Sequence, residues 1–243
     1  MEVHAHTHTA RKKWTHYFWE FFMLFLAVTA GFFVENQREH FIENKRANEL
    51  AASLLNDLQK DTAQLNMLHT RREKRKLSLD SFYHLLETTP ENIDRQVFYR
   101  FVTNSLSYLI FSQSSGTVNQ LKNAGYLRYF SDNKLLNYIT DYEFWIQDFK
   151  GDEGLETKWI NQKFSDFVVF NLDNEIMEKI FVEKNFPEGT GITFYTPDGM
   201  HQLKAILNEL RTDNYIMLTV QCPQLISKAG GLMSYLHIKY HLK

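Results

Sequence analysis

Three sets of residues in this chain have types and spacing that could do chemistry. His4, His6 and His8 alternate in a short polar stretch, and spaced imidazoles take up Cu, Ni or Zn. Without an outer shell of carboxylates to orient the rings, such a tail binds metal adventitiously rather than as a built site. His237 and His241 stand four residues apart, the spacing of two zinc ligands on one helix face, but the glutamate of an HExxH pattern is missing and no third ligand is evident. They read as surface residues near a helix C-terminus, where cationic character is favoured.

Asp57 and Asp61 also share a helix face, and two carboxylates can accept a cation or move a proton. Lys60 sits between them, and a polar outer face or an interhelical hydrogen bond accounts for the pair equally simply. Cys222 is the only cysteine, which excludes an intrachain disulfide and a cysteine-rich zinc site. Beside Pro223 and among apolar neighbours it suits a packed thiol better than a nucleophile. GxSxG, phosphate-loop and dinucleotide patterns are all missing. The expectation is therefore of no catalytic, cofactor-binding or metal-binding residues, no cofactor, and a protein that is not an enzyme.

The element with the clearest signature precedes all of these except the first histidines. From Tyr17 to Val34 the chain reads YFWEFFMLFLAVTAGFFV, and a helix of that length rises about 27 Å, nearly a hydrocarbon thickness. No later window is comparably apolar, so one transmembrane helix over 17–34 is expected. Glu20 is its only charge. An intramembrane carboxylate costs about 2.5 kcal/mol or more at the helix centre. One turn inside the end it can reach the headgroups, or it can make a polar contact in the membrane with a partner helix.

Orientation follows from the flanks. Arg11, Lys12 and Lys13 precede the run, whereas Glu35, Arg38, Glu39, Glu43, Lys45, Arg46 and Glu49 come after it with mixed sign. Basic residues close to the span stay cytoplasmic, so residues 1–16 are expected as a cytoplasmic tail and 35–243 as an extracytoplasmic domain. In this reading the protein is single-pass in the inner (cytoplasmic) membrane, with its C-terminal domain in the periplasm. A cleaved signal peptide is the competing reading, with Val28 and Ala30 as a small-residue cleavage pair. Against it stand the missing polar region before the cut, Glu20 inside the run, and the continuation through Phe32, Phe33 and Val34.

The remainder reads as all-α. Between Gly31 and Pro90 there is neither glycine nor proline, and Ala47, Leu50, Leu54, Leu58, Leu65 and Leu68 recur at helical spacing. The membrane helix is thus expected to continue as a long stalk, with the run RREKRK at 71–76 as a solvated face, the other readings being a helix break or a contact for anionic headgroups or a partner. Thr89, Pro90 and Glu91 look like a helix start, with Val97, Phe101, Leu106, Leu109 and Ile110 as its stripe and an end near Ser115. A helix from Thr117 breaks at Gly125, and another begins at Asp132 or Asn133 and carries Leu136, Ile139, Tyr142 and Trp145. Gly151 and Gly154 mark a loop before a helical period over 155–181, in which Trp159, Ile160, Phe164, Phe167 and Val168 are core candidates. At most a short extended arm lies near 191–197. Helix resumes from Asp198 with Leu203, Ile206, Leu207 and Leu210, bends or breaks near Pro223, and turns at Gly230 and Gly231.

Two stretches carry a resemblance. WTHYFWEFFMLFLAVTAGFFVENQREHFIENKR with LLNDLQKDTAQL, and TVNQLKNAGYLRYFSDNKLLNYITDY further on, resemble an uncharacterised family of single-span, helical envelope proteins common in Bacteroidota, to which no activity is assigned. The positions that match are Glu20, Leu54, Asp57, Leu58, Asp61, Thr117, Leu121, Lys122, Gly125, Leu127, Leu136, Ile139 and Tyr142. The resemblance implies a single span and a helical fold, and it implies no activity.

Composition bounds the rest. At 243 residues, 44% hydrophobic and 15% aromatic, the chain can bury a sizeable core. A net charge of −2 offers no basic field for nucleic acid. The partners expected are the lipid bilayer and either a second copy, as a homo-oligomer, or another membrane protein, with no nucleic acid. A membrane-anchored interaction or scaffold protein of the cell envelope, built as a helical bundle, is the leading expectation. The alternative is a sensor or accessory subunit of a membrane complex that acts through a partner's transmembrane helix.

Overall fold

The computed structural model describes residues 14–242 apart from Ala124, Ser131, Asp132 and Tyr195. The tail histidines His4, His6 and His8, and the basic triplet Arg11 to Lys13, lie outside the described residues, as does Asp132. The chain divides into two units, residues 1–49 and 50–243, and each is described by itself.

In the first unit the helix α1 (Trp14–Leu85) begins. Its apolar stretch has no cover among the described residues: Tyr17, Trp19, Phe21, Leu24, Phe32 and Phe33 are all exposed. This is the one described helix long and apolar enough to cross a membrane.

The second unit is all-α, and no strand occurs among its described residues. Within it α1 buries one seam. Ala51, Leu54, Leu58, Asp61, Leu65, Leu68, Arg72, Arg75, Leu79 and Phe82 are buried, and their spacing alternates three and four. That is a period of about 3.5 residues, the repeat by which one helix keeps a single seam turned toward its neighbours. The expected stalk is, over this stretch, a wall of the core. The run at 71–76 is likewise not merely a solvated face, since Arg72 and Arg75 fall on seam positions while Arg71 and Lys74 stay exposed.

After α1 the chain makes one 3₁₀ turn at Pro90–Asn92 and enters α2 (Arg95–Ser105). The expected helix start at Thr89 is displaced to Asp94. Thr89 makes no side-chain cap, whereas the Asp94 carboxylate accepts from Val97 N at 2.9 Å. Helix also ends earlier than the stripe predicts, and α2 buries Phe98, Tyr99 and Val102 in place of Val97 and Ile110. The non-helical stretch after α2 hands its amides to side chains. Phe111 N donates to Glu153 (2.6 Å), Ser112 N to Gln64 (3.2 Å) and Ser114 N to Asp61 (2.7 Å).

Helix α3 (Gly116–Asn123) ends as expected before Gly125, which sits at φ 66°, a left-handed conformation open to glycine. Helix α4 (Asn133–Lys158) passes straight through Gly151 and Gly154, where the two glycines predict a loop. Each costs about 1 kcal/mol in a helix, and the burial of Ile146 and Phe149 in the same helix outweighs it. A π turn at Trp159–Phe164 leads into α5 (Ser165–Asn171). Asp173 then caps the short α6 (Asn174–Glu178), and a π turn ends at Lys184 in a left-handed conformation.

The arm expected near 191–197 forms no strand among its described residues; just before it an isolated antiparallel bridge pairs Asp94 with Thr190, and Arg95 N donates to Gly189 O, Gly191 N to Ile93 O and Ile192 N to Pro90 O. Helix α7 (Gly199–Ile216) starts at a glycine whose Cβ would lie 2.5 Å from Phe194 Cβ, so no larger residue fits without displacement. Pro223 does not break the helical path. A π turn at Met217–Gln221 joins α7 to α8 (Cys222–Tyr240), and the widened turn relieves the clash between the proline ring and the preceding carbonyls. Gly230 and Gly231 are inside α8 and make no turn.

Helix α4 packs along α8. The buried apolar side chains form two clusters. One joins Leu54 to Leu68 of α1 with Ile139 and Ile146 of α4 and Leu225 and Leu232 of α8. The other joins Leu79 and Phe82 with Phe98, Phe164, Leu203 and Leu207.

Candidate functional site

Between the residues of those two clusters, on three separate elements, the seam turns polar. On α1 Arg72 and Arg75 fall between Leu68 and Leu79; on α4 Glu153 and Glu156 fall between Phe149 and Ile160; on α7 Asn214 falls between Leu210 and Met217. All five are buried. A charge in such a place must be paired or it shifts to its neutral form.

Arg72, 0% exposed, reaches Glu156 Oε2 at 2.9 Å through Nη2 and Asn214 Oδ1 at 3.3 Å through Nη1. Asn214 returns the bond from Nδ2 to the Arg72 carbonyl at 3.1 Å, so helix and side chain hold each other. Arg75 lies with Nε 3.2 Å from Glu156 Oε1 as an ion pair, and its Nη1 donates to Ser107 O at 2.8 Å. Its Nη2 is buried and has no hydrogen-bond partner. Burial holds the Arg75 guanidinium below the ordinary arginine value, Glu156 opposes that, and Arg72 adds to it.

Acids line up around this pair. Glu153 is pushed up by burial while the Phe111 amide and Arg72 pull it down. Asp213 rises to about 6, first through burial and then through the carboxylates of Glu156, Glu209 and Asp152. Gln221 Nε2 donates to Asp148 at 2.9 Å and Asp152 at 2.6 Å.

Asp57 and Asp61 do not meet as a cation site. Asp57 accepts from Thr117 N (3.1 Å) and Thr117 Oγ1 (2.7 Å), and Ser53 Oγ lies 2.8 Å from that same hydroxyl. Asp61 accepts from Ser114 N (2.7 Å) and Tyr142 OH (2.8 Å). Both are the interhelical bonds that the sequence allows. Burial, and after it the Asp61 charge, raises the Tyr142 hydroxyl far above its ordinary value. It is a hydrogen-bond donor here and not an acid.

His237 and His241 are not brought together on a helix face. His237 Nδ1 lies 2.9 Å from Leu242 O, and His241 at φ 51° ends the helix. Among the described residues no group of three or more His, Cys, Asp or Glu side chains could hold a metal ion. Cys222 is fully buried, and burial pushes its thiol up to about 11. Glu20 sits on the exposed part of α1.

Glu153, Glu156 and Asn214 are not candidates by sequence, and the buried arginines enter there only as part of the run at 71–76. The one signal that could have found the arginines is their register, since 72 and 75 continue the three-four alternation of Leu65, Leu68, Leu79 and Phe82.

Beside the layer opens a cleft of about 310 Å³, lined by Arg71, Lys74, Arg75, Ser78 and Leu79 of α1 and by Asn104, Ser105, Ser107 and Leu109. Two further clefts mix charges: Asp80 lies with Lys76 and Arg211 in one, and Asp166 with Lys163 in the other. The chain matches no family model, no curated protein and no solved structure.

Proposed function

We propose that this protein is a membrane-anchored helical interaction or scaffold protein of the cell envelope, without enzymatic activity. It is held in the inner membrane by one span, with the N-terminus in the cytoplasm and a periplasmic helical bundle. One observation carries the reading. In the apolar part of α1 no residue of the 18-residue window is buried, while further along the same helix the seam residues are buried throughout. Exposed apolar surface of that extent calls for lipid.

Partner binding is supported by large apolar side chains left exposed in the second unit, among them Val169 and Phe170 on α5 and Phe181 and Val182 shortly after. Singly such residues are ordinary; two adjacent pairs within a short span of chain are suited to contact with another protein. The buried charged layer supports a structural role, because polar residues at seam positions set register more than they add stability. Membership of the single-span Bacteroidota family is part of the same proposal. Its two resembling stretches bond to each other through Asp57 with Thr117 and Asp61 with Tyr142.

The alternative, a sensor or accessory subunit acting through a partner's transmembrane helix, draws on Glu20, whose helix neighbours Trp19, Phe21 and Phe22 are exposed apolar rings. A carboxylate among them is suited to a polar contact inside the membrane.

The test uses cells expressing the full chain. Alkaline carbonate should leave the protein in the membrane pellet, a phosphatase fused after Lys243 should be active, and cross-linking should recover a partner or a second copy. A soluble protein, or a reporter active only in the cytosol, overturns the anchor or its orientation. Cross-linking that recovers neither partner nor copy overturns the scaffold reading. Unchanged assembly in Glu20→Leu removes the alternative.

A further inference from the structure

The cleft beside the arginine layer differs from the other two in its charge. Arg71, Lys74, Arg75 and Ser78 occupy positions i, i+3, i+4 and i+7 of α1, so they line one flank of the helix. Asn104, Ser105 and Ser107 face them. Among the described residues no acidic side chain lines the cleft.

Its donors are also unspent. Among the described residues no hydrogen bond or ion pair engages the side chains of Arg71, Lys74, Ser78 or Asn104. Arg75, only 8% exposed, keeps Nη2 without a hydrogen-bond partner. Its charge is shared with Glu156 at 3.2 Å. Arg71 and Lys74 therefore remain as two uncompensated positive charges, the complement of a phosphate dianion. Leu79 and Leu109 supply an apolar wall, and the volume of about 310 Å³ admits a phosphate with a short organic group attached.

We propose that this cleft binds a phosphate-bearing anion, with Arg71 and Lys74 as its principal charged contacts, Ser78 and Asn104 as neutral donors and Arg75 as the buried floor. The phosphate can come from a small soluble ester or from a phospholipid headgroup. The proposal goes beyond the scaffold reading and does not depend on it.

The full chain, purified in an uncharged detergent, is titrated calorimetrically with inorganic phosphate, glycerol 3-phosphate, dihexanoyl phosphatidylglycerol and acetate. Saturable binding of at least one phosphate compound is expected, weakening as salt is raised. The double variant Arg71→Gln/Lys74→Gln should lose about tenfold or more in affinity, because it removes two charge-assisted contacts. Lys76→Gln, which lies outside the cleft, should lose nothing. Both altered residues of the double variant are exposed, so an unchanged melting temperature is the check on folding.

Binding of glycerol 3-phosphate without the lipid assigns a soluble ester, the reverse assigns a headgroup, and binding of both or of inorganic phosphate alone assigns the phosphate itself. No saturable binding up to about 10 mM of any of the three overturns the site. So does affinity that the double variant leaves untouched, or acetate bound as tightly as phosphate.

Discussion

The Tyr142 hydroxyl on α4 donates to Asp61 Oδ2 on α1 across 2.8 Å, between residues 81 apart in the chain. Asp61 is a polar residue at a buried seam position, 2% exposed, and it also closes the non-helical stretch before α3 by accepting from Ser114 N at 2.7 Å. One carboxylate thus joins a helix, a second helix and the loop between α2 and α3.

Removing either partner should leave a buried group unsatisfied. Tyr142→Phe is expected to cost about 1–3 kcal/mol and Asp61→Ala more, since the alanine variant also orphans the Ser114 amide. In urea unfolding of the detergent-solubilised full chain, the double variant should cost clearly less than the sum of the singles. Strict additivity would mean that the two residues are not coupled.

A second prediction concerns the charged layer. Glu156→Gln takes away the one carboxylate that both Arg72 and Arg75 approach, and a buried charge left without its partner costs about 3–5 kcal/mol. Replacing all three by apolar residues, Arg72→Met/Arg75→Met/Glu156→Leu, should regain most of that loss. Melting curves decide: a Glu156→Gln protein that melts with the parent shows that the layer does not depend on this carboxylate.

Asp213 governs an acid-range pH effect. Its carboxyl is raised from an ordinary 3.8 to about 6, and Oδ2 is buried without a hydrogen-bond partner. The folded chain holds this proton more tightly than the unfolded chain. The group's contribution is therefore full below about pH 4 and is lost as pH rises through about 6. Burial sets it first, then the carboxylates of Glu156, Glu209 and Asp152, with Arg72 opposed. Asp213→Asn should flatten the pH profile of stability over that window and leave the protein equally stable or more stable near neutrality, by less than about 1 kcal/mol given its partial exposure. A variant less stable than the parent at neutral pH would show that the carboxylate makes a favourable contact.

Gly151 and Gly154 offer the converse case. Both are exposed positions within α4, and a Cβ at either meets no heavy atom within 4 Å. Gly154→Ala is expected to raise stability by about 0.5–1 kcal/mol, read as a higher urea midpoint with an unchanged slope. A loss would mean that the flexibility or the bare backbone at this position matters.

The apolar run at 17–34, the unbroken helix after it and the helical spacing of Ala47, Leu50, Leu54, Leu58, Leu65 and Leu68 are all legible in the residues alone, because local period and the lack of glycine and proline act without reference to the rest of the chain. So is the stop at Gly125, where a left-handed residue is needed. Local reading misleads at Gly151, Gly154, Gly230 and Gly231, where propensities of about 1 kcal/mol yield to burial on both sides. Long-range packing alone selects the polar residues that go inside. Arg71 and Arg72 are adjacent and chemically identical, yet one is exposed beside a cleft and the other is wholly buried against Glu156 and Asn214. A guanidinium is tolerated in the interior only where a carboxylate and an amide, 84 and 142 residues away, arrive to satisfy it, and no local pattern encodes that meeting.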